Sequence, residues 1–210
     1  MPSSPAPSPR DRLLAATEAI LREGGMHGAG IKEVVARSAS PIGSLYHYFP
    51  GGKTQLVSEA LVNHAAKVPR LIERFFDGRR SAAAAARALF DNAADEFERT
   101  GANKGCAIGA VALDLQASDT AVQIVCQQAF DDWAVAIAGR LSHPDERTRR
   151  SAAVMVVAAL EGAFVLCRAS NNGQPFRDVG KWVSAMLSAN ESKGRRLRRK
   201  TKTKVSAGRP

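Results

Sequence analysis

Apolar residues recur along this chain at helical spacing. From Arg10, Leu13, Ala16/Thr17, Ile20 and Leu21 line one face of a first helix, which Gly24-Gly25 stops. A second, short helix follows Gly30, with Ile31, Val34 and Val35 inward and Lys32, Glu33 and Arg37 outward. Ser40 is placed to cap a third helix with Pro41 at its first position, where the missing N–H is not needed. Leu45 and Phe49, four apart, form the buried stripe of that helix, and Pro50-Gly51-Gly52 ends it. A fourth helix is predicted from Gly52 into the 70s, with Leu56, Ala60 and Leu61 inside and a break at Pro69.

The remainder is helical too. Segment 81–101 is rich in helix formers, and 105–116, 121–141 and 144–170 follow, the last with Asp145 and Glu146 set to complement its dipole. A final helix carries the stripe Val179, Trp182, Val183, Met186 and Leu187. No alternating run argues for a strand. The chain is therefore expected to be all-α.

Composition narrows the class. At 210 residues and 45% hydrophobic, the chain can fill a core. The Pro/Ser-rich start, 1–9, has no apolar segment of the secretory kind and is expected to be disordered. The longest apolar run, 152–167, contains Glu161 and is short for a membrane span, so it is expected to be a buried helix. Three widely spaced cysteines, Cys106, Cys126 and Cys167, suit neither a disulfide framework nor a metal site and fit a cytoplasmic protein. Cys106 is a candidate redox sensor, but nothing nearby would lower the pKa of its thiol, so that role is not expected. The net charge of +10 is concentrated in residues 191–210, where nine Lys/Arg meet one Glu. That segment is expected to be a basic disordered tail, able to touch DNA without reading it.

The third helix carries the candidate chemistry. Two short helices joined by a tight turn describe a helix-turn-helix reader. A major groove about 12 Å wide requires small groups near the reading helix's N-terminus, which Ser40, Pro41, Ile42, Gly43 and Ser44 supply. With Leu45 and Phe49 inward, Tyr46 and His47 face out, where they can bond phosphates; Ile42 suits a thymine methyl. Tyr48 is open to packing or contact. Lys53 brings a cation to the N-terminus of the next helix, which already favours phosphate. The group GGKT (51–54) is not a phosphate-binding P-loop: His47 stands where that motif needs glycine, and a helix precedes it. No HExxH, GxSxG, dinucleotide fingerprint or metal cluster is present, so no enzyme, cofactor or metal is expected.

On RLLAATEAILREGG, IKEVVARSAS and above all GSLYHYF followed by Lys53 and Leu56, residues 10–61 resemble the DNA-binding domain of the TetR family of transcriptional regulators. The Pro-Gly-Gly-Lys junction and GCAIGAVALDL look like its LmrA/YxaF branch. The resemblance implies phosphate and base contacts at Gly43, Ser44, Tyr46, His47 and Lys53, with Ser40 and Ile42 as base readers. The sequence departs from the family's pattern at three places. Gly30 replaces a Ser/Thr cap, Ala39 stands where the turn usually has glycine, and Ile42 replaces a basic residue, which moves readout away from guanine.

The resemblance further implies a repressor, binding a near-palindromic operator as a homodimer and released by a small-molecule effector, with no membrane partner. The expected organisation is an N-terminal arm (1–9), a three-helix helix-turn-helix domain (10–52), a helical effector-binding and dimerisation domain (53–190) and the tail (191–210). The last two helices carry more apolar surface than one monomer needs to bury, so Val157, Phe164, Val179, Trp182, Val183 and Met186 are expected at a four-helix dimer interface. An ordinary internal core is the alternative. Phe97, Ile108, Phe130, Trp133 and Phe164 are candidates for an effector pocket, although rings at this spacing equally suit plain core. Few charges besides Asp91, Asp95, Glu96, Asp114 and Glu161 lie in these helices, so the effector is expected to be lipophilic and neutral or cationic.

Overall fold

A computed structural model of the chain describes residues 6–79, 81–101 and 104–207, with side chains described as far as Arg199. Among these residues the regular elements are all helices: α1 (Pro9–Gly28), α2 (Ile31–Ser38), α3 (Ile42–Tyr48), α4 (Gly52–Ala65), α5 (Lys67–Phe76), α6 (Ala82–Thr100), α7 (Ala107–Asp114), α8 (Thr120–Ala138), α9 (Glu146–Ser170) and α10 (Gln174–Ala207). The all-α expectation holds. Most of the expected N-terminal arm lies outside the described residues, and its end is ordered: Ser8 caps α1, its hydroxyl accepting the Asp11 N–H.

Two compact units are formed. One comprises residues 1–67 and 103–129, the other residues 68–102 and 130–210. The first unit therefore holds α4, α7 and the first half of α8 together with α1 to α3. Its core contains Leu13, Leu21, Leu45, Phe49, Leu56, Leu61 and Ile108, all fully or almost fully buried. Both α4 and α7 pack on α1. Gly25 makes the approach of α7 possible: it sits at φ +60, and a Cβ there would lie 2.1 Å from Asp114 Oδ2. The Asp114 carboxylate takes the space and accepts the Met26 N–H at 2.8 Å.

The second unit is built around α6 and α10. Phe176, Val183 and Leu187 of α10 are buried, and a Cβ on Gly180 would come within 2.6 Å of Phe90 on α6. The expected α10 stripe is thus divided. Val183 and Leu187 turn inward, Val179 and Met186 are half-buried, and Trp182 is 79% exposed.

The basic C-terminus, expected to be a disordered tail from residue 191, is instead the continuation of α10 to Ala207. Long-range contacts extend the helix past the expected boundary. Glu191 is buried and accepts the Ala82 N–H at the start of α6 at 2.8 Å. Gly194 lies against His143 and Pro144, and the Arg198 guanidinium donates to the Ser142 carbonyl at 3.1 Å. The expectation of a buried helix over 152–167 also changes. By length and composition α9 is apolar enough to cross a membrane, yet only 33% of its most apolar window is buried, leaving Val154, Met155, Val165 and Leu166 exposed.

Candidate nucleic-acid interface

Helix α3 is only seven residues long, so its placement rests on packing rather than on propensity. Leu45 and Phe49 have no exposed surface and fix which face is inward. Arg10 reinforces this from α1, with its guanidinium 5.6 Å from the Phe49 ring centre and also paired with Glu59 of α4. The opposite face presents Pro41, Ile42, Gly43, Tyr46 and His47, all exposed, with Ile42 at 53% and Tyr46 at 51%. Ser44 and Tyr48 are half-exposed at its edges, and the His47 and Tyr48 rings meet edge to face with centres 4.9 Å apart. The outward side is therefore a small-residue N-terminus followed by two hydrogen-bonding rings. It is a shape a groove accepts, and its polar atoms can bond phosphate oxygens.

Ser40 falls outside that surface. It does not cap α3; Pro41 occupies the cap position with no side-chain hydrogen bond. Ser40 is 5% exposed, and its hydroxyl donates to the Ser38 carbonyl at 3.2 Å while Arg12 donates to it at 3.4 Å. The Arg12 Nε also holds the Ser38 carbonyl at 3.1 Å, so this arginine stitches the turn to α1. Sequence spacing could not reveal this, because Arg12 lies 28 residues away. The turn itself passes through Ala39 at φ 47, in the left-handed region that glycine occupies more readily. Gly30 caps α2 with no side-chain bond, as its identity requires.

After α3, Gly52 at φ +65 redirects the chain into α4, and the Gly51 N–H is satisfied by Gln55 Oε1 at 2.8 Å. Lys53 then lies in the first turn of α4. Its ammonium donates to the Met26 carbonyl at 3.0 Å, which satisfies a carbonyl near the end of α1. The backbone of Met26 is thereby gripped at both its polar groups, its carbonyl by Lys53 of α4 and its N–H by Asp114 of α7. The segment before α7 is bound as well: the Gly105 N–H donates to the Arg22 carbonyl, and Arg22 Nε donates to the Gly105 carbonyl, both at 2.9 Å.

The remaining candidate residues divide between the units. Ile108 is buried in the first. In the second, Phe97 and Phe164 both pack edge to face on Phe176, at 6.2 and 4.8 Å, and Phe130 packs on Trp133 at 5.5 Å. Phe176, fully buried, organises this cluster and was not singled out in the sequence. An open depression of about 390 Å³ lies elsewhere, lined by Asp145, Thr148, Met155, Met186 and Asn190 among others. Several of the few carboxylates in these helices are paired internally: Asp91 with Arg87, Asp95 with Arg177, and Asp114 with Met26 and His27. Val157 and Phe164 on α9 are half-buried, and Val183 is spent on the core of its own chain.

Comparison with known proteins places these elements. Residues 13–60 match the bacterial regulatory proteins of the tetR family, and residues 82–182 match the C-terminal domain of LmrA/YxaF-like transcriptional regulators. An uncharacterised HTH-type transcriptional regulator of Mycobacterium tuberculosis is 31% identical over 189 residues, covering 86% of this chain and 95% of the relative. The HTH-type transcriptional regulator LmrA of Bacillus subtilis is 24% identical over 180 residues, covering 85% and 96%. Among solved structures, a TetR transcriptional regulator of Legionella pneumophila superposes with a TM-score of 0.77 at 20% identity, covering 87% of this chain and 99% of the other. CifR, solved as a variant bound to 26-bp double-strand operator DNA, superposes with a TM-score of 0.70 at 19% identity, covering 88% and 98%.

Proposed function

This chain belongs to the TetR family of bacterial transcriptional regulators, in its LmrA/YxaF-like branch, and we propose that it is a repressor that reads a near-palindromic operator as a homodimer and is released by a small molecule. Members of this family regulate transcription and are not enzymes. The observation that carries the proposal is the outward face of α3, where Ile42, Gly43, Tyr46 and His47 stand over a fully buried Leu45 and Phe49. Ile42 and Gly43 meet base edges, Ile42 by apolar contact, and Ser44, Tyr46 and His47 hold phosphates. Lys53 acts at the start of α4, where backbone N–H groups and its own charge favour a phosphate. Ser40 is left out of this set because it is buried.

A single reader of this size makes few base contacts, and a two-fold pair doubles them. The exposed Val154, Met155, Val165 and Leu166 of α9 and Trp182 of α10 support that pairing, since an apolar face this long is rarely left to water. For release, the supporting observation is α7. It lies within the region matched by the C-terminal domain, yet it packs in the compact unit that carries the reading helix, bonded to α1 at Met26, with the segment before it bonded to α1 at Arg22. A ligand that prefers one position of α7 shifts the population of the reader. A cytoplasmic location follows from DNA as the target.

The test is a mobility-shift titration on the DNA upstream of the protein's own gene. Binding roughly 1,000-fold tighter than to an unrelated duplex of equal length is expected. Equal affinity for both would overturn the proposal.

A further inference from the structure

Where α1, α4 and α7 meet, three side chains distant in sequence form a relay. Cys106 occupies the N-cap of α7, and its Sγ lies 3.9 Å from His64 Nε2 in the last turn of α4. The other ring nitrogen, His64 Nδ1, lies 3.1 Å from Glu18 Oε1 on α1. Lys67, at the start of α5, donates to the second Glu18 oxygen at 2.5 Å. Burial pushes the Glu18 carboxyl up, but the hydrogen bonds from His64 and Lys67 outweigh it and hold the group at about 2. A carboxylate that stays ionised can only accept, so His64 donates to it through Nδ1–H, and this bond orients the ring with Nε2 facing the sulfur. Arg22, bonded to the Gly105 carbonyl, adds a positive charge one residue from Cys106.

This order of nucleophile, base and orienting carboxylate is the arrangement that activates a thiol. The protein's other two cysteines have none of it. Burial pushes the Cys126 thiol up to about 11 and raises that of Cys167 as well. Cys106 is 7% exposed, a degree of burial that favours a reagent as small as hydrogen peroxide over a bulky electrophile.

We propose that Cys106 is a sensor for small hydroperoxides, with His64 as its base and Glu18 as the positioning residue, and that its oxidation releases the DNA. His64 Nε2 takes the thiol proton, and the thiolate attacks one peroxide oxygen. The S–O bond forms as the O–O bond breaks, sulfur is oxidised by two electrons, and the leaving hydroxide takes the proton back from imidazolium to depart as water. The sulfenic acid adds an oxygen to a sulfur at the N-cap of α7 that lies against His64 of α4. The packing of these two helices must change to hold it. This effector class rests on the regulator reading above.

The experiment treats the full chain with hydrogen peroxide and traps sulfenic acid with dimedone, reading each cysteine by mass. Cys106 is expected to label first, and His64→Gln to slow that labelling roughly 100-fold, the loss of a positioned base. Peroxide is expected to weaken binding to the upstream DNA roughly tenfold, reversibly with dithiothreitol, while Cys106→Ser binds like the untreated protein before and after treatment. Labelling of Cys126 as fast as Cys106, an unchanged rate in His64→Gln, or full affinity of the oxidised protein would each overturn the proposal. The labelling rate is read on free protein, so it stands apart from whether the upstream DNA is the true operator. Should untreated protein show no preference for that DNA, the regulator reading fails by itself.

Discussion

Asp114 accepts the backbone N–H of Met26 at 2.8 Å, and it can do so only because Gly25 has no side chain. This bond ties α7 to α1 beside Gly25, and the same residue's carbonyl is held by Lys53. Gly25→Ala places a methyl where the carboxylate stands and forces alanine into φ +60. A loss of about 2–4 kcal/mol in urea unfolding is expected, larger than the about 1–3 kcal/mol for Asp114→Ala, which leaves one N–H unpaired. Equal stability of Gly25→Ala and the parent would show that the two helices are not so joined.

Ala39 holds a left-handed conformation at the turn of the reader. Replacing it with glycine relieves that strain and is expected to stabilise the protein by about 1 kcal/mol, visible as a rise of a few degrees in Tm. The outward side chains of α3 are untouched, so affinity for DNA at 25 °C should stay within about twofold.

Ile42 and Tyr46 stand side by side on the outer face of α3, with different expected roles. Tyr46→Ala should weaken binding to every duplex by about 1–2 kcal/mol without changing which one is preferred. Ile42→Lys should change the preferred sequence in a selection from random duplexes, with guanine gained at the contacted position. An unchanged preference would remove Ile42 from the base-reading set.

Trp182 lies on the exposed face of α10, while its neighbour Val183 packs inside. Trp182→Glu is expected to run as a monomer in gel filtration with its helical content intact. Val183→Glu should instead cost stability, because it places a charge in the chain's own core. A clean dimer from Trp182→Glu would move the interface elsewhere.

Glu18 makes stability depend on acid. Its folded-state value of about 2 lies below the ordinary 4.5, so its contribution is present above about pH 4.5 and is lost as pH falls toward 2. Glu18→Gln should flatten the fall in Tm over that window. A profile identical to the parent's would mean that His64 and Lys67 do not stabilise the ionised form.

Within the reader, spacing alone decided most of the outcome. Leu45 and Phe49, four apart, had to share one face of a helix, which turned Tyr46 and His47 to the other. The family resemblance rested on those same residues, and both domain matches agree with it. Periodicity is written between near neighbours, so a linear sequence carries it in full. Ser40 was misread because its burial depends on Arg12 of another helix, and the C-terminal segment because Glu191 bonds a backbone N–H more than a hundred residues earlier. Cys106 has no activating neighbour in sequence; its base stands 42 residues away on α4 and that base's partner on α1. Hydrogen bonds of this kind have no spacing rule, since what brings the groups together is the packing of whole helices. The reading face was therefore decided by the sequence, and the relay at Cys106 by the tertiary structure alone.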